Sequence, residues 1–352
     1  MGKFMKMGVA LASMLCAAGA FANNFRVSDQ VYVPVAGHAA GSGGKTFVTD
    51  VFISNLESDS VDVSVTYVDF SGNITQFKPG VNGYSFTLAP FERREIIDFV
   101  AAPKSSGGLA NSSGIGQLVF NGCKASADCT PDQTTGENTN FRNISVETRI
   151  YSVDNANASN PSVAPSNGQL FAGLPWYAYV SSNSNVTGLD KVFITGLRNT
   201  GGAGQTGTYR TNLGLSNASQ FSTTTLLLKL FDGKTGAAIG DPAGKQITLG
   251  PLQPFQNGVA ALFPPYTGST ATNAYVTIEQ VGVSKTSDAD ANGCSDGCPA
   301  FFAYGSLLDN ATGDAITLES QYFKPLTNAD IQCIYNLTCK DGTRKPRRAA
   351  KH

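Results

Sequence analysis

The sequence predicts an all-β protein: two tandem antiparallel β-sandwich domains, immunoglobulin-like or jelly-roll-like. Three observations carry this expectation. One set of landmarks occurs twice in the same order, the segments between turn signals alternate apolar with polar residues, and no segment keeps a helical period for more than a turn or two.

The chain opens with a leader. Lys3 and Lys6 precede an apolar run from Met7 to Phe21 that ends in Ala20-Phe21-Ala22, the basic, apolar and small-residue order of a secretory signal peptide. Residues 1–22 are therefore set apart from the fold, with cleavage near Ala22, and the mature chain is expected to be secreted, periplasmic or at the cell surface. Cys16 follows Leu15, where lipid attachment needs a small residue. No later stretch reaches the roughly 18 apolar residues of a membrane helix, so no transmembrane segment is expected.

The repeat comes next. Thr46-Phe-Val-Thr-Asp50-Val-Phe-Ile-Ser-Asn55 matches Thr208-Tyr-Arg-Thr-Asn212-Leu-Gly-Leu-Ser-Asn217. Phe86-Thr-Leu-Ala-Pro90-Phe91 matches Ile247-Thr-Leu-Gly-Pro251-Leu252, and Val153-Asp-Asn-Ala156 matches Leu308-Asp-Asn-Ala311. The offsets are 162, 161 and 155. Copy one is placed at 23–160, a linker at 161–187, copy two at 188–325 and a tail at 326–352. Within a copy, Val61–Tyr67 and Ile144–Ile150 alternate at period two and are rich in β-branched residues, which read as strands. Ser71-Gly-Asn73, Asn82-Gly83, Asn121-Gly122, Asp232-Gly233 and Asn257-Gly258 read as turns between them.

Six cysteines remain after the leader: Cys123, Cys129, Cys294, Cys298, Cys333 and Cys339. In an exported chain an even count favours disulfides, and three sequence-local pairs are expected. The first two pairs fall at the same place in each copy, which supports the repeat independently.

Composition excludes whole classes of function. The 25 basic and 26 acidic residues leave no electrostatic footprint for nucleic acid, and 41% hydrophobic content is too high for a disordered chain. Ala39-Ala-Gly-Ser-Gly-Gly44-Lys45-Thr46 fits a permissive phosphate-loop pattern, but a strand follows where a helix N-terminus is needed, and the matching loop Gly201–Thr208 has no lysine. It reads as a glycine-rich connection.

The chemical candidates are few. His38 is the one non-terminal histidine and the one candidate general base; the repeat sets Arg198 opposite it. Asp50, Glu57, Asp69, Glu92 and Glu147 are carboxylates that a fold could pair for hydrolysis. Asp288, Asp290, Asn292 and Asp296 stand at positions one, three, five and nine of a stretch with Gly293 at six, the oxygen-ligand spacing of a calcium loop. Position twelve is Pro299, so the usual bidentate carboxylate is missing, and a merely polar disulfide loop is the competing reading. Trp176, Tyr177 and Tyr179 lie between the copies, either as a platform for sugar rings or as filling for the seam where two sandwiches pack. The basic tail from Lys340 reads as a solvated terminus or as a contact for anionic polysaccharide.

Gly168-Gln-Leu-Phe-Ala-Gly-Leu-Pro175, Gly196-Leu-Arg-Asn199 and Tyr209–Asn217 resemble uncharacterised exported bacterial proteins that are often built from tandem β-sandwich units. That resemblance implies architecture and export and carries over no site. The acidic loop with Cys298-Pro299 resembles one thrombospondin type 3 repeat, which implies calcium. Together these point to a non-catalytic exported protein for surface or matrix structure, adhesion or glycan binding, with polysaccharide or other surface proteins as partners. A carboxylate-dependent extracellular hydrolase and a surface filament subunit joined by strand addition are the alternatives.

Overall fold

The computed structural model describes residues 27–41, 44–77, 85–110, 114–130, 138–161, 167–176, 191–202, 205–219, 222–266, 272–285 and 300–323. The fold is all-β, and every strand pairing among these residues is antiparallel. The first half holds β1 (Gln30–Ala40), β2 (Lys45–Asn55), β3 (Val61–Asp69), β4 (Ile74–Phe77), β5 (Ser85–Leu88), β6 (Arg93–Ile96), β7 (Gly114–Lys124), β8 (Ile144–Asp154), β9 (Asn167–Ala172) and β10 (Leu174–Pro175). The second holds β11 (Lys191–Leu197), β12 (Tyr209–Asn217), β13 (Ser222–Asp232), β14 (Ala238–Ile239), β15 (Lys245–Leu249), β16 (Pro254–Gly258), β17 (Ala274–Lys285), β18 (Phe301–Asp309), β19 (Ala315–Glu319) and β20 (Gln321–Tyr322). One short helix, α1 (Val259–Leu262), follows β16.

The wiring of the first half recurs in the second. In the first, β7 pairs β1 and β3, β3 pairs β4 and β5, and β2 pairs β6 and β8. In the second, β17 pairs β11 and β13, β13 pairs β14 and β15, and β12 pairs β16 and β18. The register of β1 on β7 shifts between Val33 and Ala36, and that of β11 on β17 shifts between Ile194 and Leu197.

Strand alternation builds a core in each half. Val63, Val65 and Tyr67 of β3 face Leu118 and Phe120 of β7, while Leu226, Leu228 and Leu230 of β13 face Val276 and Ile278 of β17. Side chains of period two point to one face, so these strands stack their apolar residues against the opposing sheet.

The turn joining β5 to β6 is matched by the one joining β15 to β16, bond for bond. The Phe91 amide donates to Glu57 O and the Asn55 amide to Glu92 O; the Leu252 amide donates to Ser219 O and the Asn217 amide to Gln253 O. Phe91 and Leu252 both sit in the left-handed region, at φ 57° and 50°. Bulky side chains rarely adopt that conformation, so two of them at one place in two turns mark one backbone plan.

The outer face of the first half's β1–β7–β3 sheet is covered by the second half. Tyr32, Val68 and Val119 pack with Ala218, Leu252, Ala300 and Phe302, and Trp176 and Leu174 close the edge of this seam. Gln117 lies fully buried there: its Nε2 donates to Leu252 O at 3.0 Å, and its Oε1 accepts from Ser216 Oγ. Tyr32 OH donates to Ala218 O at 3.1 Å. The seam thus joins apolar burial to polar groups that are all paired, as a buried contact requires.

Two turn expectations fail, and Asn82-Gly83 lies outside the described residues. Asn257-Gly258 ends β16, opposite Leu213 and Asn212. Asn121-Gly122 lies inside β7, with Gly122 opposite Val63. A Cβ on Gly122 would come within 2.3 Å of Arg142 O, so the glycine serves a close backbone approach. The Gly-rich stretch before Lys45 joins β1 to β2 as a hairpin, and no helix follows it.

Candidate functional site

A cleft of about 310 Å³ opens where the two halves meet, at the low end of the size range of ligand pockets. Its apolar wall comes from Val35, Phe47, Phe70, Ile115, Ile150 and Phe171, and its polar rim from Asn167, Gln169, Asn212, Gln256, Asn257, Ser152 and Ser306. Among the described residues the lining holds no carboxylate, ammonium, guanidinium or imidazole; its single titratable group is the Tyr151 phenol.

Sheet geometry explains the rim. Asn212 of β12 stands opposite Ser306 of β18 on one flank and Gly258 of β16 on the other. Across the cleft, Gln169 of β9 donates through Nε2 to Thr317 Oγ1 at 2.8 Å and accepts from Ser306 Oγ at 2.6 Å. Thr317 Oγ1 donates to Leu170 O at 2.7 Å. These bonds fix the rim side chains and tie the edge strands β9 and β19 together. The Asn212 carboxamide makes no hydrogen bond among the described residues, so it offers a donor and an acceptor to the cleft.

A second cluster lies inside the first half. His38 Nδ1 is 2.8 Å from Asp98 Oδ2, the Asp98 amide donates to Asp50 Oδ1 at 3.0 Å, and Tyr151 OH donates to the same oxygen at 3.0 Å. Burial pushes Asp50 and Asp98 above the ordinary carboxylate range, the His38 charge opposing it at Asp98. Burial also raises the Tyr151 phenol. Asp98 has φ 48°, and its Oδ1 is buried without a partner among the described residues. His38 and Asp98 reach the wall of an open bowl with Glu95, Ser106, Ser159 and Asn160.

Of the five carboxylates singled out by sequence, Asp50 alone joins this cluster. Asp69 clamps a turn by accepting from the Ser71 and Asn73 amides, Glu92 accepts from the Ala89 amide and Arg94, and Glu57 Oε1 accepts from Asn143. Asp98 was missed because it stands in a turn that carries no motif.

The pairing of His38 with Arg198 shifts by one residue. Thr49 Oγ1 bonds both backbone groups of Gly37, and Thr211 Oγ1 bonds both of Arg198, so Arg198 occupies the place of Gly37 and Asn199 that of His38. Asn199 Nδ2 donates to Tyr266 O.

Trp176 is half-buried against the seam cluster. Tyr177, Tyr179, the acidic loop with Asp288, Asp290, Asn292 and Asp296, the pairs Cys294/Cys298 and Cys333/Cys339, the leader and the basic tail lie outside the described residues. Cys123 and Cys129 form a disulfide with Cα atoms 6.0 Å apart. No helix among the described residues is long and apolar enough to cross a membrane.

No protein-family model matches the sequence, and no curated protein matches it. Solved structures that align with it include two bacterial domains. One is the BSP domain of a biofilm associated protein, at 9% identity and TM-score 0.17, with 86% of this chain covered. The chain spans 59% of that structure's length. The other is the C-terminal domain of the Streptococcus pyogenes antigen I/II-family protein AspA, at 8% identity and TM-score 0.12, covering 85% of this chain and 100% of that one. At these scores the likeness decides neither fold nor function.

Proposed function

We propose that this chain is an exported, non-catalytic surface or matrix protein made of two copies of one β-sandwich unit, and that the cleft at their seam binds a neutral saccharide. The observation that carries this is the lining. Five carboxamides and two hydroxyls stand over an apolar wall with three phenylalanines, and no charged group is present among the described residues. Carboxamides supply the paired donors and acceptors that sugar hydroxyls need, and aromatic faces cover sugar C–H surfaces. A carboxylate or phosphate ligand would lose its water without gaining a counter-charge, a cost of several kcal/mol. The calcium reading of Asp288, Asp290, Asn292 and Asp296 stays a proposal beside it, as a second device that would stiffen a loop of the second half.

Titration calorimetry of the mature protein against neutral and acidic oligosaccharides tests the reading. Neutral glycans are expected to bind, and Asn212→Ala to weaken them at least about tenfold, the effect of losing a hydrogen bond worth about 1.4 kcal/mol. Preference for acidic glycans, or binding unchanged in both Asn212→Ala and Phe70→Ala, would remove the cleft from consideration.

A further inference from the structure

We propose that this protein associates with further copies of itself, head to tail, by repeating between chains the contact that joins its own two halves. Within one chain, the turn carrying Leu252, with Ala218 beside it, docks on the outer sheet face carrying Tyr32 and Val68. That contact is heterologous, because it joins two different surfaces, and among the described residues the repeated wiring leaves one unused counterpart of each surface on the same molecule.

The unused turn belongs to the first half. Phe91 stands where Leu252 stands, by the matching turn bonds, and Leu56 stands where Ala218 stands, each directly after the last residue of the matching strand. Leu252 and Ala218 are 1% and 9% exposed; Phe91 and Leu56 are 70% and 49% exposed. A left-handed backbone that presents a phenylalanine to water gains no side-chain burial to offset its strain.

The unused face belongs to the second half. Register on β17 places Phe193 where β1 has Tyr32, Tyr275 where β7 has Gln117, and Phe231 where β3 has Val68. Phe231 stacks on Tyr275 with centroids 5.1 Å apart, and Phe193 meets Phe323 edge-on at 5.7 Å. Phe323 is 50% exposed. Phe193, Tyr275 and Phe231 are half-buried, so where the first half buries its outer face, the second half leaves an aromatic one partly open, of the kind that marks protein contacts.

A second copy of this chain fits both ends at once, since its Phe91 turn meets the aromatic face of the first copy as Leu252 meets Tyr32. A heterologous contact that does not close on itself propagates into a filament. This junction joins a turn to a sheet face, unlike the strand addition that the sequence offers as an alternative, and it does not depend on the cleft or its ligand.

Sedimentation velocity of the mature chain over a concentration series tests it. The expected result is an open series of species, with association weakened at least about tenfold in Phe91→Asp and in Phe231→Asp, the effect of removing a central aromatic anchor. Asp tolerates the left-handed region, so the first variant is expected to fold; circular dichroism checks both, with Phe193→Asp replacing the second if it unfolds. Mixed together, the two variants each keep one good surface and are expected to form dimers and nothing larger. A monomer at every concentration, self-association that both variants leave intact, or a mixture that recovers no dimer would overturn the proposal.

Discussion

The turns at Phe91 and Leu252 have the same backbone bonds and the same left-handed residue, yet one is in water and the other at the centre of the seam. The difference teaches that the turn is a property of the local plan, set by the Asn55 and Asn217 side chains that accept or donate across it, whereas its energetic weight is set by what lies opposite. Substitutions at matched places should therefore have unmatched effects.

The largest contrast is expected between Leu252→Ala and Phe91→Ala. Leu252 is buried in the seam, so its truncation is expected to cost about 2–5 kcal/mol, while Phe91→Ala in the monomer stays within about 0.5 kcal/mol. Denaturant unfolding of the two variants measures both, and equal losses would break the comparison. Gln117→Ala comes next. It leaves the buried Leu252 carbonyl and Ser216 hydroxyl without their partner, at about 1–3 kcal/mol, while its counterpart Tyr275 has no such bonds to lose among the described residues.

The smallest effect concerns charge. Asp50 and Asn212 occupy matching places, and in the second half the position is neutral. An acid held above its unfolded pKa is destabilising when ionised, so Asp50 and Asp98 cost the fold nothing at low pH and impose a cost as pH rises from the ordinary carboxylate range through their raised values. Asp69 and Glu92 act oppositely. Burial would raise them, but the bonds from Asn73 at Asp69, and from the Ala89 amide and Arg94 at Glu92, outweigh it, so their contribution is present at neutral pH and lost on acidification. Asp50→Asn keeps an acceptor for the Asp98 amide and Tyr151. Its thermal midpoint is expected to exceed that of the parent at neutral pH and to converge with it below the carboxylate range. A lower midpoint at neutral pH would show that the Asp50 charge is needed, with Arg149 as its partner.

The all-strand class was legible because alternation and the doubled landmarks are local patterns. Val61–Tyr67 and Ile144–Ile150 lie within β3 and β8 as their period two requires. Register was less legible. The last landmark aligns Val153 with Leu308, but strand pairing sets Leu308 opposite Arg210 as it sets Tyr151 opposite Val48, two residues away, because the β2–β8 ladder runs further at that end than the β12–β18 ladder. Asn121-Gly122 reads as a turn, yet a glycine in a strand answers to the carbonyl packed against it, which no local pattern records. The site was the least legible. Its rim gathers Asn167, Asn212 and Asn257 from three strands of two halves, and carboxamides carry no motif until the fold brings them together.

Hydrogen exchange at two amides tests the central claim most directly. In dilute monomer, the amides of Phe91 and Leu252 donate equivalent bonds, so any difference in their protection reports the covering of one turn by the opposite half. A Leu252 amide exchanging orders of magnitude more slowly than that of Phe91 is the predicted result. Equal, rapid exchange at both would mean that the halves do not pack through this turn, and the seam, its cleft and the self-association that copies it would fall together.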